Sequence, residues 1–420
     1  MANVLNMGGT RNANGSWNGL ASLETVPVGN PGNAGEWSGG SYGGNGPDRL
    51  CGAVDYEYRI GKYEVTGGQY CEFLNKVGGV DTYALYNPNM WSTNTGCKIE
   101  RYVGSGTTGD PYRYRVPDDY ANRPVNWVCW GDAARFANWV QNGQPTGPQG
   151  PGTTEDGAYL LNGATSDADL LAVTRKADWR WAITSEDEWY KAAYCNPGTG
   201  SYYEWPIRSD SGPSNILVNP DPGNNSNYYG LLTYPIDPPH YTTVVGEFEN
   251  SQSPYGTFDQ GGNVYEWNEE ILSLPFYGLC RGSRGGSFYS NACSQKALER
   301  NSPYTSSTQR QDYGFRVVQA IRLPHPGDAN NDGFVNVGDL GILALNWSQA
   351  GKTWATGDFT GEGIVNVGDL GVLALNWGWT GTPATSGVPE PATLALLGLG
   401  GLWLARRRAI ALPDRHTTAA

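Results

Sequence analysis

The sequence predicts an α+β chain: an irregular, loop-rich large domain, a small all-α module of paired loop-helix units, and a C-terminal hydrophobic helix. Three observations carry this. Three amphipathic helical patterns stand among short apolar runs and long Gly- and Pro-containing loops between residues 49 and 322. Beyond them a segment beginning at Gly327 recurs at Gly357, and self-similarity of this kind means two copies of one supersecondary unit. Near the end, Ala392 to Ala405 form an apolar stretch closed by Arg406, Arg407 and Arg408.

Composition bounds the function. A chain of 420 residues has room for one large domain and smaller attachments, on a prior of roughly 100–200 residues per domain. Its 59 Gly are joined by 16 Trp and 26 Tyr without any collagen-like period, which suits a loop-rich domain pinned by aromatic anchors. The net charge is −13 and the pI near 4.7, and Arg406 to Arg408 are the only basic run, so nucleic acid is excluded as a partner. Seven Cys (Cys51, Cys71, Cys97, Cys129, Cys195, Cys280 and Cys293) contain no CxxC pair. That rules out zinc-ribbon and thioredoxin-type chemistry and leaves room for disulfides with at least one thiol over. Three His (His240, His325 and His416) exclude a site built on several imidazoles. No apolar stretch of signal-peptide length occurs in the first thirty residues, so an export signal is not visible there.

Residues 1–48 are Gly-, Asn- and Ser-rich and read as a loose entry or an irregular first layer. The domain of residues 49–322 follows. Its first helix, TGGQYCEFLNKVGG, has Thr66 as N-cap, Tyr70, Phe73, Leu74 and Val77 on one face, and Gly78 as stop. The second, WGDAARFANWVQNG, aligns Ala133, Phe136, Ala137 and Val140 and closes at Gly143. The third, SEDEWYKAAYCNPG, opens with a capping box of Ser185 and Glu188. Residues 144–166, rich in Gly and Pro, read as a long surface excursion of the sort that carries binding function. A Pro-containing linker, residues 323–327, leads to the repeat at residues 328–379.

In the repeat, oxygen-bearing residues fall at positions 1, 3, 5, 9 and 12 counted from Asp328: Asp328, Asn330, Asp332, Asn336 and Asp339. Gly333 stands at position 6, and Phe334 offers its carbonyl at position 7. Such spacing suits a hard cation collecting oxygens around a sharp turn. The second copy supplies Asp358, Thr360, Glu362, the Ile364 carbonyl, Asn366 and Asp369, with Gly363 at the turn. Thr360 and Glu362 are poorer ligands there, so weaker calcium binding is expected of this copy. Each loop leads into an apolar helix, LGILALNW or LGVLALNW, expected to pack on its twin. The duplicated unit resembles the dockerin family, which implies calcium and a cohesin-like partner.

A Thr-, Gly- and Pro-rich linker, residues 380–387, precedes residues 388–408, and a polar extension, residues 409–420, follows. The 14 residues from Ala392 to Ala405 span about 21 Å as a helix, short for a bilayer core of about 30 Å. Pro389-Glu390-Pro391, the apolar stretch and the Arg triplet together resemble a PEP-CTERM sorting signal. That resemblance implies export to the cell envelope or outside, with exosortase and the membrane as partners at this end.

Six segments of the large domain resemble the formylglycine-generating enzyme, or sulfatase-modifying factor, family: IGKYEVTGGQYCEFLN, RPVNWVCWGDAARFANWV, TSEDEWYKAAY, YGTFDQGGNVYEWNEE, RGGSF and YGFRVV. The resemblance implies an irregular fold of C-type-lectin type. It implies a calcium site at Asp259 and Glu266 with the carbonyls of Gly262 and Val264, and a second site beginning at Asn215 and Ile216. In the family's oxidase two Cys just beyond RGGS hold copper(I), a soft ion suited to a thiolate pair; here those positions are Ser290 and Gln295. Cys293 lies between them, and Cys280, upstream, is its candidate partner in a disulfide or a displaced metal pair. Ser287, Arg300 and Arg316 match the family, the two Arg as structural ion-pair partners. The expected function is therefore an exported, calcium-stabilised surface protein whose large domain is non-catalytic and binds glycan or peptide on aromatic faces, with copper not expected. The alternative is a formylglycine-generating oxidase acting on sulfatase cysteines with altered copper ligation, for which Ser287 and Cys293 are the candidate catalytic residues. Iron-dependent sulfoxide synthesis, another activity on this fold, needs a His cluster that the chain lacks.

Overall fold

The computed structural model describes residues 6–12, 17–107, 110–230, 234–274, 277–300, 304–321, 325–330 and 333–379. The chain forms two compact units, residues 1–321 and residues 322–420. The expected ligand Asp332, the expected C-terminal helix and the sorting residues Pro389, Glu390, Pro391, Arg406, Arg407 and Arg408 lie outside the described residues.

Seven strands of the large unit position its site: β1 (Thr25–Val28), β2 (Tyr58–Gly61), β3 (Trp181–Ile183), β4 (Tyr265–Leu274), β5 (Gly278–Arg284), β6 (Tyr313–Gly314) and β7 (Val317–Ala320). An antiparallel sheet runs in the order β1-β2-β7-β3. Its register sets Val26 against Ile60, Ile60 against Val318, and Val318 against Ala182, so one apolar row crosses all four strands. Because β1 is an edge strand, it tolerates Pro27, which has no N–H to give. The N-terminal segment thus supplies a layer of the large unit. A second sheet runs β5-β4-β6, with β4 antiparallel to β5 and parallel to β6.

Helices α1 (Gly67–Val77), α2 (Trp130–Gln141) and α3 (Glu186–Tyr194) fall where the apolar spacing puts them. Thr66 Oγ1 accepts from Gln69 N at 3.3 Å and Gln69 Oε1 accepts from Thr66 N at 3.0 Å. Ser185 and Glu188 make the same box at 3.1 and 2.6 Å. Tyr70 and Phe73 of α1 pack with Phe136 and Trp139 of α2 and with Phe315, at ring separations from 5.2 to 6.5 Å. This cluster is the centre of the core.

Residues 144–152 keep to the surface as expected, but residues 153–164 depart from the surface-loop expectation. The face of α2 turned from the aromatic cluster carries Arg135 and Asn138, both buried. Arg135 clamps Glu155 at 2.7 and 3.0 Å, and the Asn138 amide donates to the carbonyls of Thr154 and Tyr159. These bonds fold the segment over the helix and bury Thr154, Ala158 and Tyr159 completely. Gly and Pro content signalled irregular backbone, which it is, but not its location.

The second unit consists of two loop-helix copies, with α4 (Val337–Leu345) and α5 (Val367–Leu375) capped by Asn336 and Asn366. Ala329, Val335, Leu343, Phe359, Val365 and Leu373 form its core. The copies exchange backbone bonds reciprocally: Gly378 N donates to Val335 O, and Ser348 N to Val365 O. Gly327 abuts Leu373 and Gly357 abuts Leu343, at φ of +96° and +95°. Each copy closes the other's core, which explains why the unit is duplicated.

Candidate functional site

The RGGS turn is built by backbone demands. Gly285 and Gly286 hold φ of +97° and +72°, and a Cβ on Gly285 would lie 2.6 Å from the Gln260 carbonyl. At Gly286 a Cβ would meet Ser290 Oγ at 3.0 Å and Gln295 Cγ at 3.1 Å, so the two positions aligned with copper thiolates do come together. Their groups are already engaged in neutral hydrogen bonds. Ser290 Oγ accepts from Ser287 N at 2.8 Å, and Gln295 Oε1 accepts from Ser226 Oγ at 2.8 Å. Ser287, fully buried, accepts from Tyr289 N through Oγ at 3.2 Å.

None of the seven cysteines is in a disulfide, and Cys280 is buried while Cys293 is exposed. Cys293 is exposed on the turn after RGGS. Cys280 is buried with Leu272 and Leu274, where burial pushes its thiol up to about 11. The disulfide considered for them is therefore absent. Cys293 lines a cavity of about 130 Å³ with Tyr265, Arg284, Asn291, Ser294 and Glu299.

A buried ion network fixes this turn. Glu186, at the start of α3, accepts from Arg284 at 2.8 Å, from Arg300 at 2.6 and 2.9 Å, and from Arg49 at 3.3 Å. Burial alone would raise the Glu186 carboxyl, but Arg284 and Arg300 outweigh it and hold it at about 2. Arg300 is thus an ion-pair partner, as expected, and Arg316 pairs instead with Glu266 at 2.6 Å. Beside the turn, rings of Tyr229, Tyr234, Tyr241, Phe288 and Tyr289 follow one another at separations of 4.7 to 6.3 Å. Tyr229 and Tyr289 are exposed, and Tyr229 N is bonded to Ser290 O at 2.8 Å.

Around GGNVYEW, Gly262 holds φ of +82°, and a Cβ there would lie 2.2 Å from the Asn227 carbonyl. The adjoining Val264 and Glu266 are fully buried. Glu266 Oε2 accepts from Trp189 Nε1 at 2.7 Å and Arg316 Nε at 2.6 Å, and Oε1 from Arg316 Nη2 at 2.6 Å. A guanidinium thus already neutralises the carboxylate expected to hold calcium. Asp259 accepts from Gly246 N at 2.5 Å, and burial raises its carboxyl to about 6. Elsewhere, Asn215 donates to Tyr228 O at 3.3 Å, and Ile216 is 53% exposed. The carboxylate in that loop, Asp221, is saturated by Gly223, Asn225, Asn250 and Ser251. Sequence reasoning passed over Glu64, an acid between Tyr63 and Val65 that is 1% exposed; its place between these two apolar residues was the available signal.

In the repeat, Asp328, Asp339, Asp358 and Asp369 are all buried. Asp328 accepts from Gly333 N, and Asp358 from Gly361 N and Gly363 N. Asp339 accepts from Ala329 N and Asn336 N, and Asp369 from Thr360 N and Asn366 N. Thr360 Oγ1 lies 3.4 Å from Asp358 Oδ1 and 3.0 Å from Asp369 Oδ1, so positions 1 and 12 of the second loop converge on position 3. Asn330 meets Asp339 through its backbone N–H. Asn336 and Asn366 turn their side-chain oxygens to Gly338 N and Gly368 N as helix caps, and Asn366 also bonds Glu362. The backbone around Phe334 and Ile364 continues each loop to Val335 and Val365 in the core. Among the described residues no group of three or more His, Cys, Asp or Glu side chains is arranged to hold a metal ion.

Residues 40–321 match the model of the sulfatase-modifying factor enzyme 1-like domain, and residues 387–409 match the PEP-CTERM protein-sorting motif. The sorting motif marks the chain as exported to the cell envelope. Among the described residues no helix is long and apolar enough to cross a membrane. No curated protein matches the chain. Of solved structures, it is similar to one titled CarF, at 17% identity over 71% of this chain and 99% of that chain, TM-score 0.44. It is similar to Treponema denticola variable protein 1 at 18% identity over 71% and 96%, TM-score 0.41. A type II cohesin-dockerin domain from Bacteroides cellolosolvens matches at 30% identity over 15% and 100%, TM-score 0.14. With its family model spanning 282 residues from 40 to 321, this chain belongs to the sulfatase-modifying factor enzyme 1-like family.

Proposed function

We propose that this is an envelope-sorted binding protein whose family domain has kept its scaffold without the oxidase chemistry, and whose repeat is a calcium-dependent docking module. The observation that carries the reading is the RGGS turn. Ser290 and Gln295 meet there as a hydroxyl and an amide, already hydrogen-bonded, and the exposed thiol of Cys293 lines its cavity with no second cysteine. A copper(I) site needs soft thiolate ligands, which this pair does not offer. The ligand class that suits the surrounding surface is a glycan or peptide laid on the row from Tyr229 to Tyr289, since tyrosine rings offer rigid apolar faces with a polar tip.

For the repeat, the reading is calcium at Asp328, Asn330, Asp332, the Phe334 carbonyl, Asn336 and Asp339, and more weakly at Asp358, Thr360, Glu362, the Ile364 carbonyl, Asn366 and Asp369. Support comes from the buried carboxylates at positions 1 and 12 and their convergence on Thr360. The partner is of cohesin type. Val337 and Leu345 of α4 and their counterparts Val367 and Leu375 of α5 are 73% to 89% exposed, giving each copy the same apolar contact points. Exosortase processing of residues 388–408 completes the scheme. The test is to incubate copper-loaded protein with oxygen, a reductant and a peptide bearing Cys in a Cys-x-Pro-x-Arg context, and follow peptide mass. An unchanged mass is expected; conversion of the thiol to the aldehyde, abolished by Cys293→Ser, overturns the non-catalytic reading and identifies the oxidase.

A further inference from the structure

Between α2 and α3 runs a stretch that none of the six family-like segments covers: RPVNWVCWGDAARFANWV ends at Val140 and TSEDEWYKAAY begins at Thr184. Within it the backbone closes a loop. Tyr159 bridges Arg175 antiparallel and Lys176 N donates to Ala158 O at 2.8 Å, so residues 160–174 leave and return at one point. Two buried guanidiniums fix its two sides. Arg135 of α2 donates to Ala164 O at 2.9 Å, and its partner Glu155 accepts from Gly163 N at 2.8 Å. Arg281 of β5 donates to the carbonyls of Leu170 and Val173 at 2.8 and 2.5 Å. That holds the short helix Asp167–Ala172, whose buried Leu170 turns inward to Gly131.

A compact loop of this length is packed by its own side chains as a rule. This one borders a cavity of about 610 Å³, within the roughly 300–1,000 Å³ of small-molecule sites. Its walls are aliphatic, from the buried Leu161, Ala164 and Val173 and from Leu160, which is 58% exposed. Lys176 and Asp169 bring opposite charges to the same lining. Asp156 pairs with Lys176, but an ammonium has three N–H groups to give. Ser166 Oγ donates to one oxygen of Asp169 at 2.6 Å. Among the described residues no aromatic ring lines the cavity, so the rigid face that suits a sugar is missing, and one cation is a poor match for phosphates. We propose that this cavity binds a short aliphatic peptide with free termini, its side chains on Leu160, Leu161 and Val173, its carboxylate towards Lys176 and its ammonium towards Asp169. The site is separate from the RGGS turn and from the aromatic row, and stands whether or not either binds a ligand.

The experiment is calorimetric titration of the full chain with the tripeptide Leu-Val-Leu, free at both ends, and with its N-acetylated, C-amidated form. The free peptide should bind, and the capped form should bind about tenfold or more weakly, because each charged hydrogen bond it loses is worth about that factor. Ala172→Trp, on an exposed residue of the lining, should fill the cavity and abolish binding. Lys176→Met and Asp169→Asn should each weaken the free peptide about tenfold while leaving the capped form unchanged. Near-UV circular dichroism checks that each variant is folded, and the two charge variants decide the matter if Ala172→Trp is not. No binding at millimolar tripeptide, equal binding of free and capped forms, or undiminished binding after Ala172→Trp overturns the proposal. Octanoate binding as tightly as the tripeptide overturns the peptide assignment, since it has no ammonium for Asp169. Binding removed by Tyr289→Ala instead of Ala172→Trp places the peptide on the aromatic row, which overturns this site and supports that reading, so the two fail separately.

Discussion

Replacing Glu186 by Gln should be among the most damaging conservative changes in the large unit. Its carboxylate joins Arg284 and Arg300, both about 2% exposed, and reaches Arg49. Gln keeps the shape but leaves two buried guanidiniums uncompensated, and breaking a buried pair in this way costs about 3–5 kcal/mol. The titration gives a second figure. The carboxyl falls from an ordinary 4.5 to about 2 in the fold, and at ~1.4 kcal/mol per pH unit this corresponds to roughly 3 kcal/mol. A group whose folded value is depressed contributes stability above its unfolded value, so this contribution is whole above pH 4.5 and is lost as pH falls towards 2. Urea unfolding of wild type and Glu186→Gln, followed by Trp fluorescence at pH 7 and again near pH 3, tests both figures. The difference should be about 3–5 kcal/mol at pH 7 and shrink at pH 3. A difference below about 1 kcal/mol at pH 7, the range of an exposed pair, refutes the reasoning.

Other outcomes follow from the same contacts. Phe136→Ala empties the centre of the aromatic cluster and should cost about 3–5 kcal/mol by the same unfolding assay. Asp369→Ala should remove calcium from the weaker loop while Asp339→Ala removes it from the stronger, which calorimetric titration of the full chain separates as loss of one or the other heat. Deletion of residues 388–408 should move the protein from the envelope fraction into the medium, read by fractionation and immunoblot; retention in the envelope contradicts the sorting role of the segment.

Local rules made the helices and the repeat legible. Thr66 with Gln69 and Ser185 with Glu188 are capping boxes that a reader finds in the sequence and the fold keeps. The repeat was visible because its 30-residue offset is written twice, and the reciprocal bonds at Val335 and Val365 are what that duplication builds. Long-range pairing was not legible. Nothing local in Arg135 tells that it will draw Glu155 and the intervening Gly- and Pro-rich segment over α2. Likewise Thr25–Val28 joins the main sheet only because β2, thirty residues on, offers it an edge. At the site, family likeness marked Ser290 and Gln295, and the structure brings them to one point at Gly286. It could not reveal that Glu266 would be closed by Arg316, or that Glu64 would be buried. Both depend on how segments far apart in sequence converge.

We propose that the RGGS turn takes no copper and that calcium is the metal this protein binds. The most direct measurement is a metal analysis of the purified full chain after exposure to copper(I) under reducing conditions and to calcium, followed by removal of loosely held ions. Retained calcium with copper at trace levels is the predicted result. Stoichiometric copper that disappears on Cys293→Ser would contradict it.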